Sequence, residues 1–269
     1  MGALIIPQED FHAVSLSGGK DSTCLLLLMI ERSMPIDAVL WADTGMEFPE
    51  MYGHIAKVDE HLFRERGLHI TALRSSKSFE YMMFEEPKQK PSCLENRARL
   101  GIPPYGNGWP GIRVRWCTGQ LKTHLINKEV NRLKGAHQLQ QYVGIAADEA
   151  HRCKDLHYPL VDWGITEAQA LQLCYDRGFD FGGLYRIYHR ASCWCCPFQR
   201  IGELRNLRHH HPELWARLLD LDNRARTQFG PGPLGQFKQN WSVARLEERF
   251  AREDGQTASI QPNAPNDAT

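Results

Sequence analysis

An α/β fold is predicted: a doubly wound, Rossmann-like parallel sheet followed by a helical, cysteine-bearing extension. Three observations predict it. Short apolar runs alternate with amphipathic helical stretches through the first 75 residues. A glycine-rich turn separates the first apolar run from the first helical one. From about residue 166 the pattern turns helical and carries a tight cysteine cluster.

Residues 12–17 read as a buried strand and residues 20–32 as a helix with a leucine-rich face. Residues 36–41 give a second strand, 49–66 a helix and 69–73 a third strand, a spacing that predicts right-handed βαβ units. Residues 85–116 break this rhythm with five prolines and four glycines and read as a long, irregular basic loop. Residues 118–133 then look helical and 139–146 form another sheet strand. Thr166 is an N-cap, with Glu167 and Gln169 in the first turn behind it. Residues 198–229 are helical, with His209, His210 and His211 before Pro212 marking a helix junction. The face of Leu204, Leu207, Leu214, Leu218 and Leu221 suits a core or the surface of a homodimer. The expected division is 1–165 as an α/β domain carrying the basic loop, 166–251 as a helical region and 252–269 as a disordered tail poor in large apolar groups.

Lysine plus arginine equals aspartate plus glutamate at 32 each in 269 residues, so net charge does not favour a polyanionic partner. A nucleic-acid surface has to be a local patch. No run of about 18 apolar residues suggests a membrane span, and the first residues lack the basic and apolar regions of a secretory signal. A cytoplasmic setting is expected, where clustered cysteines hold metal more often than they form disulfides. Of the eight cysteines, Cys24 and Cys174 lie in apolar helical patterns and read as core.

The turn SLSGGKDST, residues 15–23, leaves a strand and enters a helix, aiming backbone N–H groups and the helix dipole at one spot. Gly18 and Gly19 allow an anion to approach. Ser17, Ser22 and Thr23 offer hydroxyls, Ser15 joins the expected cradle, and Lys20 supplies charge. Asp21 repels a phosphate unless a divalent cation offsets it. The spacing is neither Walker nor GxGxxG. It resembles the SGGxDS loop of the PP-loop (N-type) ATP pyrophosphatases. That resemblance implies an adenine nucleotide alpha-hydrolase-like fold and Mg2+–ATP cleaved between its α- and β-phosphates. WADTGMEFPE, residues 41–50, resembles the DTGxxFPE element of the phosphoadenosine-phosphosulfate (PAPS) reductase branch of that superfamily, placing Asp43 and Thr44 at the nucleotide. GIAADEAHR, residues 144–152, resembles a later element of the same branch, adding Gly144, Glu149 and Arg152.

Cys193 and Cys196 form a CxxC with Cys195 inside it, and Cys117 stands in the basic segment RVRWCTGQLK. Two thiolates at that spacing chelate a single metal. Together the segments resemble the ligands of iron–sulfur members of the branch, which implies a [4Fe–4S] cluster on Cys117, Cys193 and Cys196. The fourth ligand is open among Cys195, Cys93, Cys153, His189 and none. Zinc on the same thiolates, or free buried thiols, are the alternatives.

Arg97, Arg99, Arg113 and Arg115, with Lys88, Lys90 and Lys122, stand among Tyr105, Trp109 and Trp116, a mixture that grips phosphates and stacks bases. The alternative is a solvated loop with its tryptophans packed beneath. The reductases that this chain resembles carry a later E-C-G-(I/L)-H motif, whereas no cysteine follows Cys196 in this sequence. The expected activity is therefore ATP-dependent sulfur transfer to a nucleic-acid or nucleotide substrate. It uses Lys20, Asp21, Asp43 and Cys195 as catalytic groups and a cysteine-desulfurase-type sulfur donor. A sulfonucleotide reductase and a non-catalytic binding module with structural zinc are the rival expectations.

Overall fold

Strand and helix alternate along the chain much as the apolar periodicity requires. The computed structural model describes residues 10–112 and 114–260, with side chains through residue 255, so Arg113 and residues 261–269 lie outside the described residues. In chain order the elements are β1 (Phe11–Leu16), α1 (Lys20–Glu31), β2 (Ala38–Asp43), α2 (Pro49–Arg66), β3 (Ile70–Arg74), α3 (Phe79–Phe84) and α4 (Pro91–Arg99). There follow α5 (Trp116–Thr118), a π-helical turn (Gly119–Thr123), α6 (His124–Lys134), β4 (Leu139–Val143), α7 (Pro159–Asp162), α8 (Glu167–Asp176) and α9 (Leu184–Ile187). The last helices are α10 (Ile201–His210), α11 (Pro212–Phe229) and α12 (Val243–Ile260).

The four strands form one parallel sheet in the order β3-β2-β1-β4. All six residues of β2 are buried, as expected of a strand covered on both faces. Because β2 follows on one side of β1 and β4 on the other, the order reverses at β1. Open α/β sheets bind ligands at the carboxyl edge beside such a reversal. Leu16 pairs with Trp41, and Ser15 with Val143, so the turns after β1, β2 and β4 emerge side by side.

The chain divides into two compact units: residues 1–79 with 115–194, and residues 80–114 with 195–269. The expected boundary near residue 165 does not appear, because α8 packs on α1 of the sheet unit. In the second unit, the expected irregular loop holds α4, which starts at Pro91, an N1 proline with a preset φ. The expected disordered tail is helical from 252 to 260. Val243, Leu246 and Phe250 are buried along one face of α12, and Asp254 accepts bonds from Arg205 and Arg208. The break between α10 and α11 falls at His211, as the sequence implies. Leu204, Leu207, Leu218 and Leu221 are core within that unit.

Candidate nucleotide and thiol sites

The turn between β1 and α1 is braced from inside. Ser22 Oγ accepts from Ser17 N at 3.0 Å and lies 2.9 Å from Ser17 Oγ, while Gly19 N donates to Ser17 Oγ at 3.3 Å. Lys20 N donates to Tyr185 Oη at 2.9 Å, and burial pushes that phenol's pKa up. Gly18 has φ +81°, and a Cβ there would sit 2.6 Å from Met51 Sδ. Gly144 is pressed harder: its Cβ would meet Ser22 Cα and N at 2.5 Å, so the turn after β4 lies flat on the first turn of α1. Only glycine fits there. Ser15, expected in the cradle, points instead into the sheet, where Gln141 Nε2 donates to its Oγ at 2.9 Å.

Behind this turn stands a carboxylate trio, Asp21, Glu149 and Glu167, each with an oxygen within 4.8 Å of the others. Glu167, at the head of α8, was legible only as a favourable charge in a helix first turn. Its helix is capped as expected, with Thr166 and Gln169 forming a reciprocal box. Lys20 Nζ pairs with Asp21 at 3.3 Å and with Glu167, and Arg152 pairs with Glu149. Burial raises the Asp21 pKa, Lys20 opposes it, and the two glutamates reinforce it. Asp21 Oδ1 is buried with no hydrogen-bond partner among the described residues. Hard oxygen donors with one oxygen unspent fit a divalent cation such as Mg2+.

Asp43 corrects an expectation. Its carboxylate accepts from Gly45 N at 2.7 Å and Tyr52 Oη at 3.0 Å on one oxygen, and from Arg74 Nε at 2.9 Å on the other. It is a fully engaged structural bracket rather than an open catalytic carboxylate, and it drives the Tyr52 phenol, already raised by burial, up to about 12. The next residue faces the thiols. Thr44 Oγ1 donates to Glu47 Oε1 at 3.1 Å, accepts from Met46 N at 3.2 Å and lies 3.6 Å from Cys193 Sγ. Cys193 Sγ in turn donates to Glu47 Oε1 at 3.4 Å, and Trp194 N donates to Met46 O at 3.1 Å.

Lys122, expected at the substrate, reaches this corner and pairs with Glu47 at 3.2 Å. Its pKa is raised by Cys193, then by Glu47 and Cys117, against the opposing effect of burial. Two soft thiol donors around one ammonium suit an iron–sulfur cluster or zinc. Glu47 went unremarked in the sequence, although it sits inside the quoted DTGMEFPE run. The structure also buries His54, whose Nε2 lies 3.1 Å from Thr23 Oγ1 in α1.

The second unit holds the rest of the expected set. Cys195 is buried at 1% exposure, which encloses the thiol expected to be catalytic, and Cys196 is half-buried. Lys238 Nζ donates to Pro197 O and Gln199 O, both at 2.8 Å, just beyond Cys196. Arg97 is not a substrate contact. It is buried and donates to the carbonyls of Pro103, Tyr105 and Gly106, tying the loop after α4 to itself. Arg99 is exposed and bonds Asn96. Trp109 packs on Phe237 within this unit. In the sheet unit Trp116 packs on Phe79, so neither indole is offered to a base. Arg115 is exposed at the head of α5.

Residues 12–95 match the phosphoadenosine phosphosulfate reductase domain. This segment is similar to that domain. It takes in β1 through α4 and ends before Cys117, Glu149 and the CxxC. Two relatives from Methanocaldococcus jannaschii, the uncharacterized proteins MJ0066 and MJ0973, are 23% and 22% identical over 76% and 78% of this chain. The chain spans 40% and 47% of their lengths, about half of each. A solved structure, the U34-tRNA thiolase NcsA from Methanococcus maripaludis with its [4Fe–4S] cluster, bears a loose likeness. It covers 93% of this chain and 75% of its own, at 15% identity and a TM-score of 0.35.

Proposed function

We propose that this chain is an ATP-dependent enzyme of sulfur transfer that forms AMP and pyrophosphate while activating a nucleotide or nucleic-acid acceptor. One observation carries the reading. The turn that follows β2 in the PAPS-reductase-like segment is fastened to Cys193 through Thr44, Glu47 and the Met46–Trp194 hydrogen bond. The same sheet edge thus serves a phosphate cradle and a thiol site.

In this reading the triphosphate of ATP lies on the turn of Ser17, Gly18 and Gly19, against the N-terminus of α1. Asp21, Glu149 and Glu167 would hold Mg2+, which supplies charge neutralisation on the phosphates. Lys20 and Arg152, now paired with those carboxylates, would neutralise charge on the leaving pyrophosphate. The acceptor oxygen attacks the α-phosphorus, and a sulfur nucleophile then displaces AMP from the acceptor. Cys117 and Cys193 would hold the [4Fe–4S] cluster, whose chemistry is to carry sulfur. Lys122 sets its ammonium beside these sulfurs, and Glu47 positions Lys122.

The test is anaerobic purification followed by iron, zinc and acid-labile sulfide per chain, with AMP release from labelled ATP measured alongside. Iron and sulfide that disappear in Cys193→Ser, and AMP release that disappears in Asp21→Asn while iron stays, are the expected results. AMP release intact in Asp21→Asn overturns the nucleotide assignment. Zinc alone, or no metal, overturns the sulfur half. The matched domain favours one further reading, a sulfonucleotide reductase, whose signature is thiol-dependent sulfite release from a sulfonucleotide.

A further inference from the structure

The first N–H groups of α1 are already engaged. Gly19 N donates to Ser17 Oγ at 3.3 Å, and Lys20 N donates to Tyr185 Oη at 2.9 Å. Lys20 opens the helix, so no carbonyl within α1 can receive its N–H, and the helix dipole turns that group toward negative charge. A phenol from α9, 165 residues further along the chain, receives it instead. The same oxygen also takes a hydrogen bond from the backbone of Ala191, two residues before Cys193.

A phenol oxygen has two lone pairs and carries one hydrogen. With both lone pairs met by N–H groups, the hydrogen points elsewhere, and no acceptor for it stands among the described residues. Burial raises the phenol's pKa, so the hydrogen stays in place at neutral pH. The ring is held edge-on to Phe181 at 4.8 Å, and Lys20 Nζ lies 5.9 Å above its face. A Cβ on Gly19 would come within 3.3 Å of the oxygen, so the hydroxyl stands against the turn itself. Gly19 and Tyr185 are half-buried and Ser17 is exposed, which leaves a ligand on the turn within reach of that hydrogen.

We infer that Tyr185 is a phosphate-binding residue, donating its phenolic hydrogen to a phosphate oxygen of the molecule seated on the Ser17–Ser22 turn. The inference rests on the ATP reading and adds to it a donor that lies outside the matched residues 12–95. The phenol acts as a relay. It takes the Lys20 N–H that the helix presents to an anion and offers its own O–H in that place. Two N–H bonds polarise the hydroxyl into a stronger donor, and a bond to a charged phosphate oxygen belongs to the strong class. No proton is transferred.

The experiment is calorimetric titration of the full chain with inorganic pyrophosphate and Mg2+ at pH 7.5. Tyr185→Phe loses one charge-assisted hydrogen bond and is expected to weaken pyrophosphate binding about tenfold or more. Tyr185→3-fluorotyrosine keeps the hydroxyl and the shape of the ring, and so stays informative if Tyr185→Phe folds poorly. Fluorine makes a phenol a stronger donor and a weaker acceptor, so this variant is expected to bind pyrophosphate more tightly than the wild type. A phenol that merely braced the turn would act only as an acceptor. A fluorinated variant that binds no more tightly than the wild type therefore overturns the inference, as does wild-type affinity in Tyr185→Phe. Either result, with pyrophosphate still bound by the wild type, leaves AMP release to judge the ATP reading. A wild-type chain that binds no pyrophosphate overturns the phosphate turn and the role of Tyr185 together.

Discussion

Acidification offers the sharpest test of how the phosphate turn is supported, through His54. This side chain is 4% exposed, lies tilted with its ring 4.3 Å from that of Phe181 and meets Thr23 Oγ1 of α1 at 3.1 Å. Burial lowers its pKa from 6.5 to about 4, Asp180 opposing and Lys57 reinforcing the shift. The unfolded chain therefore takes up a proton near pH 6.5 and the native chain only near pH 4. Between those values unfolding binds a proton, so acid destabilises the fold. Linkage puts the loss at about 2.5 kcal/mol by pH 4.5, approaching roughly 3 kcal/mol at lower pH. Asp21 and Asp222 have raised pKa values and act in the opposite direction, gaining stability as pH falls. Comparing the wild type with His54→Gln cancels their contributions. The assay is urea unfolding of both proteins at pH 7.5 and pH 4.5. The wild-type advantage is expected to shrink by about 2.5 kcal/mol, or roughly 1 M in urea midpoint at an ordinary m-value. A difference between the two proteins that does not change with pH would refute a neutral, buried His54.

Three further outcomes follow from the same geometry. Gly144→Ala puts a methyl group against the backbone of α1, so it is expected to cost about 2 kcal/mol in urea unfolding and to weaken ATP binding more than tenfold by calorimetry. Lys122→Met is expected to cost about 3 kcal/mol because Glu47 stays buried without its cation; Glu47→Gln added to it recovers part of that loss, and no recovery would mean the pair is not coupled. Arg97→Gln leaves three carbonyls short of donors and is expected to cost about 3 kcal/mol, with AMP release in the folded fraction unchanged. Lost AMP release without lost stability would return Arg97 to the substrate.

The strands, the helices α1, α2, α6 and α8 and the phosphate turn were legible because each rests on local chemistry: apolar runs, a Gly-Gly turn, the Thr166 cap. What sequence patterns could not supply is which polar groups are spent on the protein itself. Asp43 looks like an open catalytic carboxylate in DTGMEFPE, yet Tyr52 and Arg74, nine and 31 positions away, occupy it. Ser15 belongs to the quoted turn but bonds Gln141, which lies on β4. Arg97 reads as one more loop cation, and its burial becomes visible only when the loop carbonyls converge on it. Glu167 and Glu47 were missed for the converse reason: each meets its lysine partner more than 70 positions away. The end of α12, from residue 252, was read as disorder because it lacks large apolar groups, while Asp254 there ties it to Arg205 and Arg208 of α10.

The second unit has a consequence for how this protein is made. Glu80 waits for Arg217 and Arg224, and Trp109 N for the carbonyl of Leu234. Gly108, with φ +64°, has room for no side chain beside Leu234, which lies 126 residues further along the chain. At ribosomal speeds of about 5–20 residues per second, residues 80–114 emerge roughly 6–25 s before those partners exist. Through that interval Met82, Met83, Phe84 and Trp109, all buried in the finished protein, have nothing in their own unit to cover them. Nascent chains stalled between residues 115 and 194 should therefore be the species that chaperones retain, and slowing translation over that stretch should lower the soluble yield.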